Sequence, residues 1–125
     1  MAGSYKTENG LAHLRVKYSD RFYMGPGRAD LLQGIVETGS IAASGKRMGM
    51  SYKRAWSLVQ ALNDGWGQPL VETSRGGAAQ GGASLTADGQ TVLRSYRAMQ
   101  EATRGAIAEE FEAVTRRLVD ISKAT

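Results

Sequence analysis

Hydrophobic and polar positions change their period several times along this chain, and each change marks an element. HLRVKYSDRFY, residues 13–23, sets Leu14, Val16 and Tyr18 against Arg15 and Lys17, the two-residue alternation of a half-buried strand. PGRADLLQGIVETG switches to helical spacing. Pro26 suits a helix entry, Leu31, Leu32, Ile35 and Val36 share one face, and Gly39 is placed to end it. Ser40 predicts a cap for a short helix from Ile41 to about Met48. Gly49 permits a positive φ and so a sharp turn, after which Ser51 caps a third helix running to about Asn63. On that helix Ala55, Leu58, Val59 and Leu62 recur at i, i+3, i+4 and i+7, an inward stripe. At about 100° per residue, Lys53, Ser57 and Gln60 fall on the opposite face, with Arg54 and Trp56 on its flanks.

Beyond the third helix, GWGQPLVETS reads as a turn followed by a strand around Leu70 to Thr73. RGGAAQGGA, residues 75–83, offers nothing apolar to bury and is rich in glycine, a loop. SLT, residues 84–86, returns as a second strand, so the pair forms a hairpin with a long tip. From Ala87 to about Lys123 the period stays helical: Val92, Tyr96, Met99, Thr103, Ile107, Phe111, Val114, Leu118 and Ile121 recur at steps of three or four. Such a helix measures about 50 Å at 1.5 Å per residue, longer than a domain of this size covers. Its far half, with Ile107, Phe111, Val114, Leu118 and Ile121, therefore needs another surface, and a second copy of the chain is the simplest. Gly105 weakens the interior of that helix and marks either a kink or a close helix contact.

Composition narrows the picture. The 125 residues suit one domain with an appended helix: residues 1–86 as the domain proper and 87–125 as a helical association segment. There is no Cys, which excludes disulfides, thiolate zinc sites and Cys nucleophiles. MAGSYKTENG carries no apolar signal core, and no run approaches the roughly 18 apolar residues of a spanning helix. The expectation is a cytoplasmic protein with no membrane partner. A net charge of +4 says less than its distribution. Lys46, Arg47, Lys53 and Arg54 fall close together with no acid between them, and a local basic patch attracts polyanions.

Those elements in that order resemble a winged helix-turn-helix. TGSIAASGKRMGMS followed by PLVETSRGG and SLTADGQ is similar to the DNA-binding domain of LysR-type regulators. SYKRAW at the start of the third helix, and the long glycine-rich hairpin LVETSRGGAAQGGASLTADGQ, resemble still more closely the N-terminal domain of ModE, the molybdate-responsive repressor. The resemblance covers about Leu14 to Arg104. It implies a mainly α fold with a small β-hairpin, the wing, and a long C-terminal dimerisation helix, in a regulator that binds double-stranded DNA as a homodimer. ModE proteins continue into molbindin-type oxyanion domains, whose Ser-Ala-Arg-Asn signature is nowhere in this chain. DNA reading is therefore implied and molybdate sensing is not.

A helix whose first turn is cationic opposes its own dipole. That arrangement makes sense where the helix lies in a major groove and the duplex supplies negative charge. Lys53 can then reach guanine acceptors or phosphate, Gln60 can pair with adenine in bidentate fashion, and Ser57 is small enough for close approach. Ser51, Tyr52 and Arg54 share the inserted end. Tyr52 divides evenly between packing and phosphate contact, whereas Trp56 reads mainly as packing. Ser40, Lys46 and Arg47 lie on or before the supporting helix, where backbone contacts position without reading sequence. Arg75, Gly76 and Gly77 open the wing. A solvated helix face is the competing reading of Lys53, Ser57 and Gln60.

Enzyme chemistry finds little support. RGGAAQGGAS lacks the Gly-Lys-Ser/Thr of a P-loop, His13 has no companions for a metal or a triad, and Glu109, Glu110 and Glu112 read as a solvated face. No cofactor is expected. Two alternatives remain open at this level: a protein-interaction module built on the long helix, and a small oxyanion-binding protein using the glycine loop as a nest.

Overall fold

The computed structural model describes residues 10–74 and 82–119. Two short strands, β1 (Val16–Lys17) and β2 (Tyr23–Met24), lead into three helices, α1 (Pro26–Thr38), α2 (Ile41–Arg47) and α3 (Tyr52–Trp66). The hairpin of β3 (Val71–Ser74) and β4 (Gly82–Leu85) follows, and then the long α4 (Ala87–Thr115). Both strand pairs are antiparallel; in the second, Val71 faces Leu85 and Ser74 faces Gly82.

One core joins these elements. Leu31, Leu32 and Ile35 of α1 meet Ile41 of α2, Ala55, Val59 and Leu62 of α3, Leu70 and Val71 beside the wing, and Val92, Leu93 and Tyr96 of α4. Burial of that apolar surface is the main stabilising term. Polar ties set the angles between elements. The buried Ser44 hydroxyl donates to the Leu31 carbonyl at 2.8 Å, pinning α2 across α1. Asn63 holds the wing to the end of α3: its Oδ1 accepts from the amides of Leu70 (2.8 Å) and Val71 (3.2 Å), and its Nδ2 donates to the Val71 carbonyl (3.3 Å). Thr86 caps α4 by accepting from the Gly89 amide at 3.0 Å while its own hydroxyl donates to the Pro69 carbonyl at 2.9 Å.

The predicted helices are present, with differences that have physical reasons. α3 runs three residues past Asn63, to Trp66, because Gly67 rather than Asn63 takes the left-handed cap conformation. Val36 is 53 % exposed; α1 packs through Leu31, Leu32 and Ile35, and one residue further on the helix surface has already turned to solvent. The alternation near the start of the chain yields only two paired residues, together with a second hairpin that periodicity alone did not indicate. Its β2 strand sends Met24 into the core, with Phe22 just before it. Tyr18 is 44 % exposed.

α4 ends at Thr115 rather than near Lys123, so it is about 43 Å long. Past Phe111 its side chains gain little burial, and Val114, Thr115 and Val119 are β-branched residues of lower helix propensity. Leu118 thus lies beyond the helix end, 73 % exposed, and Ile121 lies outside the described residues. The helix continues through Gly105, and a Cβ built there meets nothing within 4 Å, so Gly105 makes no close helix contact among the described residues. The core reaches along α4 as far as Tyr96, whose hydroxyl donates to the Leu14 carbonyl at 2.6 Å. The first turns of α4 therefore pack as part of the domain.

Candidate nucleic-acid interface

Three short-range devices present the outward face of α3. Ser40 accepts from the Ala43 amide at 3.0 Å and starts α2; Ser51 accepts from the Arg54 amide at 3.1 Å and starts α3. Between them Gly49, at φ 71°, makes the left-handed turn that reverses the chain. The two helices meet so closely at Gly45 that an added Cβ lands 2.6 Å from the Ala55 Cβ. No side chain can be accommodated there without moving one helix.

With Ala55, Val59 and Leu62 buried, Lys53, Ser57 and Gln60 are turned to solvent, as is Arg54. Lys46 on α2 is exposed as well. Among the described residues, Lys46, Lys53 and Arg54 have no carboxylate at ion-pairing distance. The exposed surface of α2 and α3 therefore carries uncompensated positive charge beside a helix N-terminus with no acid in its first turn. Arg47 differs. Its Nη2 donates to Glu37 Oε1 at 2.7 Å, tying the end of α2 to the last turn of α1. That bond, and a second from Gln33, hold the Glu37 carboxyl below the usual glutamate range.

Trp56 is half-buried and packs against the core, whereas Tyr52 stands 58 % exposed and stacks on it. Strand β4 of the wing passes close to Ser40, because the Ala83 amide donates to the Gly39 carbonyl at 2.9 Å. Arg75, Gly76 and Gly77 lie outside the described residues. Sequence reasoning singled out the outward residues but not Glu37, which neutralises one of the predicted cations. Its place ten residues before Arg47, across the α1–α2 turn, is the only local signal for that pairing.

A helix laid across a supporting helix, joined by a glycine turn and flanked by a hairpin, is a winged helix-turn-helix. The chain belongs to the bacterial regulatory helix-turn-helix proteins of the lysR family, whose model matches residues 28–90, half of its length. It is 44 % identical over 77 residues to the molybdenum-pterin-binding protein MopB of Rhodobacter capsulatus, covering 62 % of this chain and 28 % of that protein. It is 37 % identical over 83 residues to the DNA-binding transcriptional dual regulator ModE of Escherichia coli, covering 66 % of this chain and 32 % of that one. The chain thus spans about a third of the length of these curated relatives. Among solved structures, the CbnR DBD–DNA complex matches with a TM-score of 0.55 at 27 % identity, covering 71 % of this chain and 95 % of that one. Full-length LysG from Corynebacterium glutamicum shares the fold, with a TM-score of 0.56 at 22 % identity over 74 % of this chain and 30 % of that one.

Proposed function

We propose that this chain is a cytoplasmic transcriptional regulator that binds double-stranded DNA as a homodimer, α3 reading the major groove and α2 and the wing gripping the backbone. The observation that carries the reading is the exposed Lys53–Ser57–Gln60 face, held opposite the buried Ala55, Val59 and Leu62 and unneutralised by acids among the described residues. A duplex supplies both the charge and the base edges that such a face fits. Likeness to a DNA-bound domain and to regulators of the ModE kind supports it.

The homodimer rests on α4. Phe111 and Val114 continue the face that buries Val92 and Tyr96, yet they stand 38 % and 68 % exposed. A second copy would cover them and set two recognition helices on one operator. The names of the relatives connect domains of this kind with molybdenum, so genes for molybdenum handling are the first place to seek its operator. A titration of the intact chain against genomic fragments, with and without excess competitor DNA, tests the reading. Fragment-selective binding that survives competitor is expected. Uniform, competitor-sensitive binding would instead favour the interaction-module alternative suggested by the exposed end of α4.

A further inference from the structure

Lys53, Ser57 and Gln60 account for the outward face of α3, but they leave an aromatic pair on its flank without a task. Tyr52 and Trp56 are one helical turn apart, with ring centroids 6.3 Å apart and planes inclined by 22°, inside the range of a favourable offset stack. Trp56 is anchored against the core, so it is a fixed platform. Tyr52, in the first turn of α3, lies beside that platform with its ring nearly parallel to it, and the residue is 58 % exposed. The Tyr52 hydroxyl has no hydrogen-bond partner among the described residues. Gln60 follows at the next step of four, so Tyr52, Trp56 and Gln60 form one ridge along the edge of the reading face.

We propose that the Tyr52–Trp56 stack is a specificity element that packs the exposed ring of Tyr52 on the C5-methyl group of a thymine. The inference rests on α3 entering the major groove, and it names what the aromatic flank would read there. The thymine methyl is the one apolar feature that base edges display in that groove. An aromatic face cannot form the paired hydrogen bonds that read the other bases. Stacking on Trp56 removes the rotamer freedom that Tyr52 would otherwise lose on binding, which makes a small apolar contact selective. Trp56 is accordingly a positioning residue and Tyr52 the contacting one.

The test selects a preferred duplex for the intact wild-type chain from a random pool, then replaces its thymines one at a time by deoxyuridine, which removes only the methyl group. One replacement should weaken wild-type binding about four-fold, the equivalent of one buried methylene. Tyr52→Ala should bind the selected duplex more weakly and no longer distinguish thymine from uracil at that position, while losing far less affinity for random DNA. Trp56→Leu, which keeps an apolar group on the core, should blunt the same discrimination. If no thymine methyl matters, or if Tyr52→Ala loses affinity equally on selected and random DNA, the inference is overturned and groove reading stands. A selection that enriches no sequence overturns groove reading and the inference together.

Discussion

Lys53 and Gln60 stand on the outward face of α3 with donors suited to base edges. Lys53→Ala and Gln60→Ala should each cost about 1–3 kcal/mol on a preferred operator and far less on random DNA, measured by parallel titrations on the two. Equal losses on both would place them among backbone contacts. Lys46 is exposed and without a carboxylate partner among the described residues. Its replacement by Ala should weaken binding to every duplex and lower the magnitude of the log–log salt slope by about 0.9. Arg47 carries a different expectation, because it is already bonded to Glu37 at 2.7 Å. The Arg47 bond first, and then the Gln33 bond, lower the Glu37 pKa. The tie between α1 and α2 is therefore complete above the ordinary glutamate pKa of an unfolded chain, and it is lost as pH falls through the lowered folded value. An NMR titration should find Glu37 protonating below the usual range of about 4.3, and Arg47→Ala should move it back up. An unmoved titration would show that the pair does not form in solution.

At the scale of elements, the presentation of α3 depends on how closely α2 approaches it. Gly45→Val would place branched carbons where even a single Cβ comes within 2.6 Å of Ala55. It should destabilise the domain by about 1–3 kcal/mol, the usual cost of overpacking a filled core, as read by urea denaturation. DNA selectivity should fall with it, because the recognition helix must tilt. The cap at Ser51 is a milder lever: Ser51→Ala should cost about 1 kcal/mol and fray the turn that carries Tyr52 and Lys53. Gly45 and Ser51 were differently legible. A serine before a periodic stripe announces a cap, because its bond to Arg54 spans three residues. A glycine inside a seven-residue helix announces nothing until the facing helix is in place.

The whole molecule divides along α4. Its first turns fill the core through Val92, Leu93 and Tyr96, while Phe111 and Val114 project from the far half with much of their surface in solvent. Truncation after Gly105 keeps every core residue. It should therefore yield a folded monomer that binds a full two-part operator much more weakly than the intact chain, since the gain from linked half-sites disappears. Sedimentation at micromolar concentration checks the first point and titration on full and half sites the second. An intact chain that sediments as a monomer, or a truncated one with undiminished affinity for the full site, would remove the dimer from the account.

The helices, their starts, the glycine turn and the two faces of α3 were legible in the local pattern, because each depends on residues three to seven positions apart and on backbone preferences that act locally. That pattern also placed Lys53, Ser57 and Gln60 on the exposed face of α3, since exposure there follows once the buried stripe is known. Tertiary packing settled that Tyr52 lies beside Trp56 while remaining 58 % exposed, that Arg47 is claimed by Glu37, that Phe22 and Met24 belong to the core, and that the core stops at Tyr96 along a helix continuing to Thr115. These outcomes turn on which surfaces meet. The Tyr96 hydroxyl finds its acceptor 82 residues away, at Leu14, and no local pattern encodes a contact whose partner is chosen by the packing of the remaining elements.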